Sequence, residues 1–114
     1  MSQKNIFQRI IDKEIPARIV YEDDRCLAFH DVAPQAPTHV LVIPKQEIKS
    51  LDAMSDADAD LVAHIWRVIR DLGRELKLQS GYRVVVNNGR DGGQSVDHLH
   101  FHLLGGRQMT WPPG

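Results

Sequence analysis

Apolar residues recur along this 114-residue chain with two periods, one typical of strands and one typical of helices. Residues 98–104 alternate three histidines with Leu99, Phe101 and Leu103. A period of two is typical of a strand with one buried face. We therefore predict a strand whose apolar side chains face the core. Its three imidazoles then share the opposite face, spaced about 6.5–7 Å apart.

Other segments predict two helices and four further strands. Asn5 is placed to cap a first helix that ends before Pro16, and Ser55 and Asp58 form a candidate capping box for a helix reaching about residue 76. Strand-like runs occupy residues 19–22, 26–30, 39–43 and 82–87. The first two are expected to form a β-hairpin. The mixture lacks repeated βα units and predicts an α+β fold with a five-stranded, mainly antiparallel sheet.

The predicted long helix is apolar on more than one side, because Val62, Trp66 and Ile69 broaden its main stripe. The sheet covers one side of such a helix, so a second apolar side predicts another packing partner, such as a second subunit. The run at residues 39–43 is almost continuously apolar up to Pro44, which is typical of a central strand.

Composition narrows the class of protein. The length predicts one domain, residues 1–114, that buries a core without metal or disulfide support. A net charge of −1 and a pI of about 6.6 predict no general attraction to nucleic acid or membranes. Cys26 is the single cysteine and is expected to be a packed thiol rather than a nucleophile. With no apolar leader in residues 1–5, a reducing, cytoplasmic location is expected.

Three interpretations of the histidine row compete. The histidines are solvated surface residues, or they bind a metal with His39 as a further ligand, or they act on a phosphate. No acidic residue shares their predicted face, which disfavours the metal. The preceding loop, residues 88–95, offers backbone N–H groups at three glycines and the hydroxyl of Ser95. Phosphate chemistry uses both the loop and the row, and is preferred.

The same residues resemble a known family. His98-Leu99-His100-Phe101-His102-Leu103-Leu104 has the H-x-H-x-H-x-x pattern, with apolar residues between the histidines, that names the histidine triad (HIT) superfamily. The stretches that resemble its Hint branch are residues 12–17, 22–24, 28–31, 34–39, 92–96, 105–109 and 111–114. Together they span nearly the whole chain.

The resemblance implies a purine nucleoside phosphoramidase, which hydrolyses the P–N bond of adenosine 5′-phosphoramidates to AMP and an amine. It implies catalysis with no cofactor and no metal at the site, and leaves open whether a structural metal is bound. By this likeness His100 is the nucleophile and forms an adenylyl-histidine intermediate. His102 contacts the phosphate oxygens, His98 and His39 support and orient the catalytic rings, and Ser95 bonds near the leaving group.

A nucleotide site is implied as well. Asp31 is expected to accept hydrogen bonds from the ribose hydroxyls, for which a carboxylate suits two neighbouring donors. Asn87 belongs to the phosphate and ribose side, while Gly93, Gln94 and Val96 belong to the loop that presents backbone to the phosphate. The residues expected around the base are Phe7, Ile10, Phe29, Val32 and Leu41.

The resemblance further implies a homodimer with a continuous ten-stranded sheet. Two positions depart from the pattern of the branch, Asp97 in place of a usual tyrosine and Thr110 in place of a common histidine. We expect the charge of Asp97 to raise the proton affinity of nearby imidazoles. Thr110 is expected to alter the preference for the leaving amine. His30 and His64 are expected to have no role in catalysis.

Two alternative functions remain. One is a nucleotide-binding scaffold or regulatory protein that has this fold and little turnover. The other is dinucleoside polyphosphate hydrolysis as in the Fhit branch, which is disfavoured because those relatives lack the Trp-Pro-Pro-Gly ending and carry glutamine at or near the position of His102. The sequence leaves open the leaving group and the choice between adenine and guanine.

Overall fold

A single antiparallel sheet organises the computed structural model, which describes residues 3–114. The elements are α1 (Ile6–Ile11), β1 (Ile19–Glu22), β2 (Cys26–His30), β3 (Thr38–Pro44), a 3₁₀ turn (Asp56–Asp58), α2 (Ala59–Glu75), β4 (Tyr82–Val85) and β5 (Phe101–Gly105). The strand order is β1-β2-β3-β5-β4, and each neighbouring pair is antiparallel. The α+β prediction with five strands and two helices is therefore confirmed. The expectation of no apolar leader rests on residues 1–5, and the first two of these lie outside the described part.

Both predicted helix starts are found. The side chain of Asn5 accepts a hydrogen bond from the backbone N–H of Gln8 at 2.8 Å, which caps α1. The Ser55 N–H donates to the carboxylate of Asp58 at 2.9 Å. The second helix differs from the prediction, since its first turn is 3₁₀ and the α-helix begins only at Ala59.

Side chains on the two faces of the sheet form two separate apolar clusters. The α2 cluster contains Cys26, Ala28, Val40, Val42, Leu99, Phe101, Leu103 and the buried face of α2. The α1 cluster contains Phe7, Ile10, Leu27, Phe29, Leu41 and Ile43. Successive strand residues alternate between the clusters, as the period of two requires. The apolar members of the histidine row therefore face α2, as predicted.

The histidine strand is shorter than predicted, because β5 begins at Phe101 and leaves His98, Leu99 and His100 ahead of it. Phe101 pairs with Val42, and continuing this register places Leu99 opposite Pro44, which has no N–H to donate. The Leu99 N–H instead donates to the carbonyl of Ile48 at 2.7 Å. Other ends also differ: β3 runs from Thr38 to Pro44, β4 ends at Val85 rather than at residue 87, and β5 continues to Gly105.

The second apolar side of α2 is largely covered within the chain. Ile69 is buried and Val62 is partly buried against the α2 cluster, whereas Trp66 is 48% exposed. The Trp66 ring also packs edge-to-face on Phe101, with centroids 5.6 Å apart. Within residues 3–114, no helix combines the length and apolar character needed to cross a membrane.

Candidate active site

Four histidines converge on the α1 side of the sheet. His39 on β3, with His98 and His100 ahead of β5, are each at most 5% exposed, and His102 on β5 is partly exposed. Ring centroids lie 5.0 Å apart between His100 and His102 and 5.2 Å apart between His39 and His102. The interpretation of the row as solvated surface residues is therefore wrong.

Hydrogen bonds to carbonyls fix the proton positions of His98 and His100. His98 Nε2 lies 2.9 Å from the carbonyl oxygen of Pro44, which only accepts, so Nε2 carries the proton. His98 Nδ1 then accepts from the side-chain amide of Asn5 at 3.2 Å. His100 Nδ1 lies 2.7 Å from the carbonyl oxygen of His98 and donates to it. The lone pair of neutral His100 is consequently on Nε2.

A second chain of bonds fixes His39 and His102. The Gln35 N–H donates to His39 Nδ1 at 3.0 Å, which leaves the proton of neutral His39 on Nε2. That N–H donates to His102 Nδ1 at 2.9 Å, so His102 carries its own proton on Nε2. Among residues 3–114, His102 Nε2 is the buried side-chain nitrogen or oxygen atom that lacks a hydrogen-bond partner. An unsatisfied buried donor costs about 1–3 kcal/mol, which an anionic oxygen placed there would offset.

The surroundings favour the neutral imidazoles of His39, His98 and His102. Burial lowers the pKa of His39 and of His98 below the usual range. For His102, burial and the neighbouring rings of His100 and His39 lower the pKa to about 4. Asp97 is exposed, and the carboxylate that acts against the shift at His98 is that of Glu47. The expected rise in proton affinity from Asp97 is therefore wrong, because desolvation dominates.

The first helix lies over the buried histidines. The Phe7 ring is edge-on to His100, with centroids 5.0 Å apart, and to His98 at 6.1 Å. The other predicted base-pocket residues that are buried with Phe7 in the α1 cluster are Ile10, Phe29 and Leu41. Val32 is separate from them and is fully exposed. The structure thus brings four of these five residues together beside the triad.

Asp31 lies against His39. Its Oδ1 accepts from the backbone N–H of Ala33 at 2.8 Å, and its Oδ2 is 3.4 Å from His39 Nε2. The His39 N–H therefore lies between the Asp31 carboxylate and the His102 ring. Donor atoms of Asp31, His39 and His102 are all within 4.8 Å of one another, which is a spacing that could hold a metal ion. A cation there would compete with the bond between the two imidazoles.

The loop after β4 is held together by Gln94. Its side-chain Nε2 donates to the carbonyls of Lys49 at 2.7 Å and Val96 at 3.0 Å, and its Oε1 accepts from the Gly89 N–H at 2.9 Å. Its backbone N–H also donates to the carbonyl of Gly89 at 3.0 Å, so the side chain and the backbone N–H of Gln94 are both bonded within the protein. The amide side chain positions the loop.

The other predicted loop residues lie before and after Gln94 in the chain. Gly93 is exposed and has a φ of 80°, a conformation that favours glycine. Ser95 is exposed, Asn87 is partly buried, and Val96 packs against the α1 cluster. The loop therefore reaches from the end of β4 to the cluster beside the triad.

Sequence reasoning missed the groups that orient the triad. Asn5 was expected only to cap α1, yet its amide also contacts His98. The other orienting groups are the backbone carbonyls of Pro44 and His98 and the N–H of Gln35. Backbone groups are present at every position, so no sequence signal distinguishes them.

A five-stranded antiparallel sheet with three alternating histidines, two of them buried against the first helix, defines a protein of the histidine triad class. Residues 12–109 match the HIT domain, and the chain belongs to the HIT family. It is 54% identical to a HIT-like protein from Synechococcus elongatus over 114 residues, which is all of both chains.

Solved structures give the same result. A HIT family hydrolase from Legionella pneumophila superposes with a TM-score of 0.95 at 49% identity, covering 97% of this chain and 100% of that one. A histidine triad nucleotide-binding protein from Candida albicans superposes with a TM-score of 0.82 at 37% identity, covering 96% of this chain and 83% of that one.

Proposed function

We propose that the protein is a purine nucleoside phosphoramidase that hydrolyses the P–N bond of adenosine 5′-phosphoramidates to AMP and an amine. One observation carries the proposal: the His100 Nε2 lone pair lies in the ring next to the buried His102 Nε2–H, which has no partner among residues 3–114. A nucleophile beside an unused donor suits an electrophilic phosphorus with anionic oxygens. Relatives described as a HIT family hydrolase and a histidine triad nucleotide-binding protein support it.

In the first step, the His100 Nε2 lone pair attacks the α-phosphorus and forms an N–P bond. The P–N bond to the leaving group breaks, and the amine departs with a proton that water or the Ser95 hydroxyl supplies. The positive charge that develops on the His100 ring is stabilised by its Nδ1–H bond to the His98 carbonyl. The His102 N–H donates to a phosphoryl oxygen, where charge builds up in the transition state.

In the second step, water attacks the phosphorus of the adenylyl-His100 intermediate, its oxygen bonds to phosphorus, and its proton passes to solvent or restores the Ser95 hydroxyl, which replaces the proton taken by the amine. The bond from phosphorus to Nε2 breaks, AMP leaves, and the neutral imidazole is restored. His39 keeps His102 in the tautomer that donates, because its Nε2–H occupies His102 Nδ1. Each of these steps uses groups of the chain and water.

The nucleotide is assigned to the residues around the triad. Asp31, beside His39, takes the ribose hydroxyls, and Asn87 lies on the phosphate and ribose side. The loop residues assigned to the phosphate side are Gly93, Gln94, Ser95 and Val96. The residues assigned to the base are Phe7, Ile10, Phe29, Val32 and Leu41.

Turnover of an adenosine phosphoramidate tests this function. We expect His100→Ala to lower kcat by at least about 10³-fold, because the group that forms the intermediate is gone, while AMP still binds. His30→Ala is the matched control, since His30 is a partly buried strand histidine outside the site, and it should retain activity. Full activity of His100→Ala would overturn the assignment. AMP binding without turnover in the native protein would favour the scaffold function.

We further propose that two chains pair across a two-fold axis along β4 to form a ten-stranded sheet. β4 is an edge strand of the sheet, and Trp66 on α2 and Tyr82 on β4 are each more than 40% exposed. A groove of about 580 Å³ lies beside this edge, lined by residues 77–83 and 106–109. Sedimentation equilibrium should give a dimer at micromolar concentration, weakened by Trp66→Glu. A monomer throughout that range would refute this pairing.

A further inference from the structure

A second cluster of metal-ligating side chains lies where the β1–β2 turn meets α2. The Asp23 carboxylate, the Cys26 thiol and the His64 imidazole place one donor atom each within 4.8 Å of one another. Cys26 and α2 belong to the α2 cluster, so this group is on the opposite face of the sheet from the triad. The side chains of Asp23 and His64 are about 19% and 20% exposed, which leaves the cluster open to solvent on their side.

The carboxylate of Asp23 is already held as a ligating carboxylate is held. Its Oδ1 accepts from the backbone N–H groups of Arg25 and Cys26, each at 2.8 Å. Its Oδ2 accepts from the Tyr21 hydroxyl at 2.8 Å and lies 2.6 Å from His64 Nε2. Burial alone would raise the pKa of Asp23, but these hydrogen bonds outweigh it and hold the pKa well below the usual range. The group is ionised and oriented by outer donors, as metal-binding carboxylates are.

The Cys26 thiol packs in the α2 cluster and also lies within 4.8 Å of the donor atoms of Asp23 and His64. Its residue is fully buried, and burial together with the nearby charge of Asp23 raises the pKa of the thiol to about 12. A thiol is a weak hydrogen-bond donor for a carboxylate. A divalent cation between sulfur and oxygen would replace the thiol proton, because coordination deprotonates cysteine.

We propose that Asp23, Cys26 and His64 form a binding site for a divalent cation of the zinc class. Thiolate, imidazole and carboxylate are the three ligand types that tetrahedral Zn²⁺ takes in proteins, and water from the open side completes the fourth position. On binding, the thiol proton is released to solvent, and the remaining proton of neutral His64 lies on Nδ1 while Nε2 ligates.

The geometry needs one local adjustment. Tetrahedral ligands at about 2.0–2.3 Å from zinc are about 3.3 Å or more apart, so the 2.6 Å between Asp23 Oδ2 and His64 Nε2 has to widen. His64 lies on α2 with a partly exposed side chain, whereas Asp23 is held by three donors other than His64, namely the Tyr21 hydroxyl and the N–H groups of Arg25 and Cys26. The movement is therefore assigned to the His64 ring. A bound ion would connect the β1–β2 turn to α2 and stabilise the folded chain by mass action.

Cobalt(II) gives a direct test, because Cys26 is the only cysteine and any sulfur-to-cobalt charge-transfer band reports this site. The chelator-treated full-length protein is titrated with Co²⁺ and then with Zn²⁺. We expect the charge-transfer band to saturate at one equivalent per chain, to disappear when Zn²⁺ displaces Co²⁺, and to be accompanied by a higher Tm with Zn²⁺. No band at saturating Co²⁺ would overturn the proposal.

Two variants separate this site from the triad. His64→Gln removes a partly exposed ligand and should abolish the band and the rise in Tm with Zn²⁺, with phosphoramidase activity unchanged. His102→Gln disrupts the other metal-compatible group, formed by Asp31, His39 and His102, and should leave the band intact. A band that persists in His64→Gln, or that is lost in a folded His102→Gln protein, would contradict the assignment.

Discussion

His98 uses both ring nitrogens in hydrogen bonds, whereas the proton-bearing Nδ1 of His100 is bound and its Nε2 keeps a lone pair. The sequence predicted that the histidines share one face, and the placement of Leu99 and Phe101 in the α2 cluster confirms this parity. The partners that divide the roles among the rings are mostly backbone groups, which side-chain patterns do not encode. The tautomers follow from hydrogen bonds that only the folded chain forms.

The side chain of Asn5 makes two hydrogen bonds that substitution can separate, one with the Gln8 N–H and one with the His98 ring. Asn5→Ser keeps an oxygen that caps α1 but removes the amide from His98 Nδ1, while Asn5→Asp keeps the cap and places a carboxylate there. We expect Asn5→Asp to favour a proton on His98 Nδ1, and Asn5→Ser to cost about 0.5–1.5 kcal/mol of stability. Nitrogen-15 NMR of the imidazoles measures the proton position. Identical His98 spectra in all three proteins would contradict the bond.

Among the elements, the loop between β4 and β5 and the start of β5 depend on backbone chemistry. The sequence predicted the strands from their periodicity, yet β5 begins three residues late because Pro44 cannot continue the ladder and Ile48 takes the Leu99 N–H. Three glycines marked the loop as special. The hydrogen bonds by which Gln94 holds the loop were not predictable, because the sequence does not show which carbonyls a glutamine side chain reaches.

Gly92 provides the test of the loop. A Cβ added there would lie 2.5 Å from the Asn88 carbonyl oxygen. Rotation of a side chain cannot relieve this clash, because the backbone fixes the positions of both atoms. Gly92→Ala should therefore displace the loop and raise KM for a phosphoramidate by at least about tenfold, or about 1.4 kcal/mol. Asp91→Ala, a change at an exposed neighbour, is the control and should leave KM unchanged. An unaltered KM in Gly92→Ala would contradict a contribution of the loop to substrate binding.

For the whole molecule, the sequence predicted the α+β class and the five strands because alternation and capping signals are local. It did not predict that the triad is buried, since burial depends on how α1 lies over the sheet. That burial makes stability depend on pH. The pKa of His39, His98 and His102 is lowered in the folded chain, whereas unfolded histidines titrate near about 6.5.

Below about pH 6.5, these histidines therefore bind protons in the unfolded chain, whereas in the folded chain they bind protons only at lower pH. The free energy of unfolding should fall as the pH falls from 7 to 5, a window above the range in which the carboxylates titrate. Urea denaturation midpoints at several pH values measure it, and His102→Gln should flatten the dependence because the pKa of His102 is lowered to about 4. A midpoint that is constant or rises toward pH 5 would contradict the lowered pKa of His39, His98 and His102.

In the proposed mechanism, His100 Nε2 becomes covalently bonded to the substrate phosphorus. Acid quenching within a single turnover of an adenosine phosphoramidate, followed by mass spectrometry of the intact chain and its peptides, tests this directly. We expect a transient adduct of one AMP unit on the peptide that contains His100, absent from His100→Ala and present in His30→Ala. Rapid turnover by the native protein with no adduct at any quench time, or an adduct on another residue, would contradict it.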